Sequence, residues 1–235
     1  MFSASPEASA QPLRPKVSAG ASAGASLDRF WTKVDGRMTQ VFLAMMVGTY
    51  VLQFIVALSF GAAAHNALFT IDRGVLLRPW TIFTSIFAHS LASLNHLLIN
   101  SLVLYFFGSA VERLIGTKRF ALLFITAGAV AGLAQITLFE GAALGASGAI
   151  QGIMGTLVIL APRLTVLVFF VIPAPLWLLT IAFVLFDVLG AFNPDSGVAH
   201  IAHLAGLAAG LAYGYRLKQQ GIRVNVAPPP QRRYF

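Results

Sequence analysis

The chain has 235 residues and a formal charge of +8, with 57% hydrophobic and only 10% charged residues; its mean hydropathy is +0.79. Soluble domains carry about 25% charged residues, so this composition excludes a water-covered surface and indicates an integral membrane protein. The absence of cysteine excludes a disulfide framework, a thiolate metal site and a cysteine nucleophile.

Residues 1–37 contain ASAGASAGAS and no apolar run. They read as a disordered, basic N-terminal tail without the apolar core of a secretory signal. The segment shares its basic, Ser/Ala-rich character with organellar transit peptides, but Glu7, Asp28 and Asp35 depart from that pattern.

Six apolar segments follow, at about 39–61, 94–112, 120–139, 147–161, 175–191 and 198–215. Each is near the roughly 20 residues that cross a bilayer. The fourth is shorter and begins inside the membrane, so its loop needs shielding by protein or water. A long connector, 62–92, joins the first two, and Pro173 and Pro175 make 165–175 an interfacial connector. The expected fold is an all-α membrane bundle of six helices over residues 38–216, with a C-terminal tail at 217–235. With six spans, fourteen of the sixteen Lys and Arg fall on one side, and only Arg73 and Arg78 on the other. That asymmetry puts both termini in the cytoplasm and the loop GASGA, 145–149, near the outer face. The charges form no stripe with interleaved aromatics, so the partner they indicate is the lipid bilayer and not nucleic acid.

Polar residues inside spans are rare and carry function or helix contacts. Here they are His96, Asn100, Ser147, Gln151, Asp187, His200 and His203. His96 and Asn100, four apart, share a helix face; they are either interhelical glue or donors aimed at a developing negative charge. Ser147 sits in GASGA at a helix start, either as an N-cap or as a nucleophile beside N–H groups that attract an anion. The G-x-S-x-G elbow is absent, because residue 149 is Ala. Gly148 and Gly152 on the fourth segment, and Gly206 and Gly210 on the sixth, are small-residue pairs that allow close helix packing. Their contact would bring His203 close to Ser147, where it is either a buried histidine satisfied by a neighbour or a general base for the serine. His200 lies near the water boundary, and His65 and His89 read as solvated. Four histidines without a carboxylate or thiolate at ligand spacing do not make a metal site. Asp187, deep in the fifth segment, is expected to bond a neighbouring span or face a wet cavity and has no expected catalytic role, so any catalytic unit would be a Ser–His dyad rather than a triad.

Taken together, the set resembles the rhomboid intramembrane serine proteases from about Arg78 to Tyr215. The matching pieces are RPWTIFTSIFAHS, HLLIN, FFGSAVERLIGTKRF, GASGAIQGIMG and AHLAGLAAGLAYG, in that order. The resemblance implies Ser147 as nucleophile, His203 as base, and an oxyanion hole from His96, Asn100 and the backbone N–H of Ser147. It implies transmembrane protein substrates, cleaved near the outer end of their span, and no cofactor. Trp80 and Arg78 match the family's Trp-Arg connector loosely, since Pro79 intervenes and the order is reversed. Gln151 stands where many members have an aromatic that stacks on the histidine.

Three other readings make different predictions. A catalytically inactive rhomboid-like protein would bind client transmembrane helices without cutting them. A small transporter or channel would keep its activity without Ser147. A scaffold held by glycine contacts explains the glycines but not the ordered polar set. The expected location is a multi-pass position in a bacterial plasma membrane, with an organellar membrane as the alternative; oligomeric state and substrate identity are not encoded in any motif.

Overall fold

Glycine and alanine decide how closely these helices approach, and that decides where the site is. The computed structural model describes residues 36–139, 141–168, 171–193 and 196–222. The expected tails before 36 and after 222 lie outside the described residues.

Helix α1, Met38–Phe69, bends at Gly61, whose φ of 79° places it in the left-handed region. That break falls at the expected end of the first segment; a second helical piece, AAAHNALF, continues from it to Phe69. The start of α1 is held by Glu112. That buried carboxylate accepts from the backbone N–H of Met38 (2.8 Å) and Thr39 (2.9 Å), and from the hydroxyls of Thr39 (2.8 Å) and Thr117 (2.9 Å). A helix N-terminus offers unpaired donors and positive potential, so an anion is stabilised there. A 3₁₀ turn, Arg73–Leu76, follows, with Asp72 accepting from Gly74 N–H and paired with Arg78 (2.7 Å). Helix α2, Thr81–Phe87, is short.

Helix α3, Leu94–Ile115, contains a π turn at Leu104–Gly108. Helix α4 is Thr117–Leu138 and α5 is Ser147–Leu160. The expected connector at 165–175 contains an antiparallel ribbon, β1 Thr165–Val168 with β2 Ile172–Pro175, in register from Thr165↔Pro175 to Val168↔Ile172. Its prolines are compatible with strand structure because a two-stranded ribbon has outward-facing N–H positions that need no partner. Leu176 N–H donates to Leu164 O (2.8 Å), closing the ribbon onto α6, Leu176–Gly190. The last described helix, α7, is His200–Gln219.

Helices α1, α3 and α4 are long and apolar enough to cross a membrane, and α5 and α6 are shorter apolar helices. The described chain is mostly helical and matches an integral, multi-pass membrane protein. Helix α5 lies between α4 and α7. A Cβ on Gly206 would run into the carbonyl of Gly148, and one on Gly210 into that of Gly152. A Cβ on Gly155 would sit 2.6 Å from Leu207 O. On the opposite flank, Gly148 and Gly152 leave no room beyond the methyls of Ala131 and Ala127. The Thr156 hydroxyl donates to Gly210 O across the same seam (2.9 Å). In lipid, where burial of apolar surface gives no advantage to one helix pairing over another, this close packing and hydrogen bonding holds helices together.

Candidate active site

The loop before α5 is pinned from two sides. Ile71 and Ala143 exchange backbone hydrogen bonds (3.0 and 2.9 Å), and Gly145 N–H donates to Ser85 O (2.8 Å). Gly145 has φ 126°, and a Cβ there would lie 2.9 Å from the His96 ring. Only glycine suits both the backbone and the space. Ser147 is then the first residue of α5, and the position before it, Ala146, makes no side-chain cap. Ser147 is thus not acting as an N-cap; its Oγ lies 2.8 Å from His203 Nε2.

The glycine seam between α5 and α7 produces that distance. Gly206 and Gly210 lie three and seven residues after His203, on the same helical face. With those backbones in contact, His203 projects over the first turn of α5.

A carboxylate stands beside the serine–histidine pair. Asp187 on α6 is 2% exposed, and its Oδ1 lies 2.8 Å from His203 Nδ1. The same oxygen lies 2.8 Å from His200 Nδ1. The residue left outside the catalytic unit therefore stands directly behind the histidine. His200 is buried against the same carboxylate. Helical rotation is what the sequence does not specify here. Nothing in an almost wholly apolar α6 sets which way Asp187 faces until its partners on α7 are placed. The available signal was the cost of a carboxylate in an apolar helix, which demands a partner.

His89, expected to be solvated, is corrected. It is fully buried, with Gln53 bridging its backbone: His89 N–H donates to Gln53 Oε1 (2.9 Å), and Gln53 Nε2 donates to His89 O (3.0 Å). Burial lowers the His89 pKa to about 4; the neighbouring His96 adds to this, and the hydrogen bond to Phe87 O opposes it. His65 is partly buried on α1, its Nε2 2.9 Å from Gln53 Nε2.

His96 and Asn100 on α3 line the same cavity as Ser147 and His203, a space of about 990 Å³. Ser90 N–H donates to His96 Nδ1 (3.3 Å). In a neutral ring this leaves the proton on Nε2, as a donor. Asn100 Nδ2 donates to His96 O (2.7 Å), which occupies one of its two N–H groups. Gln151, one turn into α5, also lines the cavity, and its buried Oε1 has no partner among the described residues. Asp187, His200 and His203 bring three donor atoms within 4.8 Å, as a cation site requires, but both Nδ1 atoms are already engaged with the carboxylate. Chemically, the arrangement offers a hydroxyl bonded to an imidazole, a carboxylate behind that imidazole, and further donors on the cavity wall.

A family model for the Rhomboid domain matches residues 77–220. RHOMBOID-like protein 12, mitochondrial, of Arabidopsis thaliana is 30% identical over 179 residues, 68% of this chain and 52% of the relative. Rhomboid protein 1, mitochondrial, of Saccharomyces cerevisiae is 30% identical over 63% of this chain and 46% of its own. Rhomboid protease GluP of Bacillus subtilis is 38% identical over 82 residues, 35% of this chain and 16% of its own. The chain spans about half the length of the two mitochondrial relatives. Those two names lend no support to the bacterial plasma membrane first expected.

Proposed function

The chain belongs to the rhomboid family, and on that premise we propose that it is an intramembrane serine endopeptidase. Ser147 is the nucleophile and His203 the general base. The observation that carries this reading is the 2.8 Å contact between Ser147 Oγ and His203 Nε2, within hydrogen-bond reach for proton transfer. His203 takes the hydroxyl proton as Oγ attacks the scissile carbonyl carbon. The resulting oxyanion meets the His96 Nε2–H, the Asn100 amide and the Ser147 N–H at the start of α5. The imidazolium then protonates the leaving amine, and water, activated by the same ring, releases the acyl group.

The substrates are transmembrane segments of other proteins. A helix hides its carbonyls, so the substrate unwinds near its outer end before cleavage. Burial of α5 between α4 and α7 supports a reading in which Ser147 lies below the outer membrane surface, because protein shields that loop from lipid. In this proposal α1, α3, α4, α5, α6 and α7 are the six spans, with both termini in the cytoplasm and Gly148, Gly152, Gly206 and Gly210 as packing residues. No cofactor takes part in any step.

Cleavage of a single-span reporter by the detergent-purified protein tests this, with Ser147→Ala and His203→Ala alongside. Each substitution should lower turnover by at least about 10³-fold. Cleavage that persists in Ser147→Ala would remove the nucleophile assignment. Absence of cleavage with the wild type, across reporters that it nevertheless binds, would favour an inactive client-binding protein.

A further inference from the structure

We propose that Asp187 and His200 form a positioning pair that fixes the tautomer and direction of His203; this rests on the protease reading above. Asp187 Oδ1 lies 2.8 Å from Nδ1 of both His203 and His200. An ionised carboxylate only accepts hydrogen bonds. Both imidazoles, when neutral, must therefore carry their proton on Nδ1 to satisfy it. For His203 this leaves the Nε2 lone pair facing the Ser147 hydroxyl, the arrangement a general base needs. With the opposite tautomer, Nε2 would carry a hydrogen and could not take the proton.

Among the described residues the Ser147 hydroxyl is bonded to His203 and His200 to Asp187, so His200 is not needed for that proton transfer. It is buried, and its Nε2 has no partner among the described residues. Its Nδ1 hydrogen bond to Asp187 therefore stands as its polar anchor. The ring packs so closely on Gly190 that a Cβ there would collide with it, and it meets Phe186 edge-on at 5.2 Å. Asp187, Phe186 and Gly190 all lie on α6. His200 thus ties α7 to the part of α6 that carries the carboxylate, and Asp187 receives two donors in place of one. Two fixed donors hold the carboxylate in one rotamer and keep its charge partnered in an apolar setting. When His203 becomes imidazolium, that same charge stabilises it.

The test uses the full-length protein in detergent with a single-span reporter, reading kcat and KM separately. Asp187→Asn should lower kcat by about 10²–10⁴-fold with KM within about threefold. His200→Phe should lower kcat by about 10-fold, and His200→Asn, which keeps a donor, should recover part of that loss. Wild-type kcat in Asp187→Asn, with Ser147→Ala inactive, overturns this inference and leaves the protease reading standing. Cleavage by Ser147→Ala shows instead that the protease reading itself has failed. If Asp187→Asn does not fold, ¹⁵N-histidine NMR of the wild type at about pH 8 decides. Nδ1–H tautomers for both His200 and His203 are expected, and an Nε2–H tautomer at His203 overturns the proposal.

Discussion

Helices α5 and α6 are nearly the same length and both strongly apolar, yet they are built for different surroundings. Of the fourteen residues of α5, eleven are buried, including Gly148, Gly152 and Gly155. Of the fifteen of α6, only Leu176, Thr180 and Asp187 are buried, while Leu185, Phe186 and Leu189 are more than half exposed. Helix α5 is enclosed by protein, which fixes the serine. Helix α6 turns most of its side chains outward and keeps Asp187 inside, against α7. The contrast teaches that mean hydropathy does not distinguish a lipid-facing helix from an enclosed one. The distinction lies in residue size: Gly148, Gly152 and Gly155 at spacings of four and three in α5, leucines and phenylalanines in α6.

Substitutions should break this contrast unequally. The largest effect is expected at the enclosed seam. Gly210→Leu forces a side chain into the Gly152 backbone, beyond the about 1–3 kcal/mol typical of overpacking, so no monodisperse folded protein should survive size-exclusion chromatography. Gly48→Ala on α1, with nothing within 4 Å of the new methyl, should instead be neutral or stabilise by up to about 1 kcal/mol. Glu112→Ala leaves the donors of Met38, Thr39 and Thr117 without their acceptor and should cost about 3–5 kcal/mol, read as a lowered thermal midpoint.

A smaller, pH-dependent effect is expected at His89. Its pKa falls from 6.5 to about 4 on burial, so between those values the unfolded chain binds the extra proton. Stability is then fully present above about pH 6.5 and is lost as the pH falls toward 4, by about 2–4 kcal/mol. His89→Asn should flatten that part of the stability profile measured by denaturation. The smallest effect belongs to the outward face of α6. Leu189→Ala, at a residue 71% exposed, should change stability by less than about 0.5 kcal/mol.

Much of this was legible in the residues. The apolar segments read from hydropathy are helices in the structure, with ends displaced by a few residues, and at α1 a further helical piece follows the break. The break is at Gly61, where the first segment was expected to end, and the helical piece after it runs on to Phe69. The two glycine pairs and the shared face of His203, Gly206 and Gly210 foreshadowed the α5–α7 contact through periodicity alone. The polar residues that escaped the reading have partners from distant elements. Glu112 was not singled out in the sequence, and its partners come from the N-terminus of α1, more than seventy residues earlier. His89 looked solvated until Gln53, thirty-six residues earlier, bridged its backbone. Asp187 needed the rotation of α6 about its own axis, which apolar residues on nearly every side leave unspecified.

The π turn in α3 has a bearing on where its polar residues point. Asn100 and Glu112 are twelve residues apart, and in an unbroken α-helix that spacing would set them about 120° out of phase. Both are buried, one on the cavity and the other beneath α1. The extra residue accommodated at Leu104–Gly108 delays the helix by about 100° and returns the two almost to the same azimuth. A single widened turn thus lets one helix present an amide at one end and a carboxylate at the other to the same interior, without supercoiling and without proline.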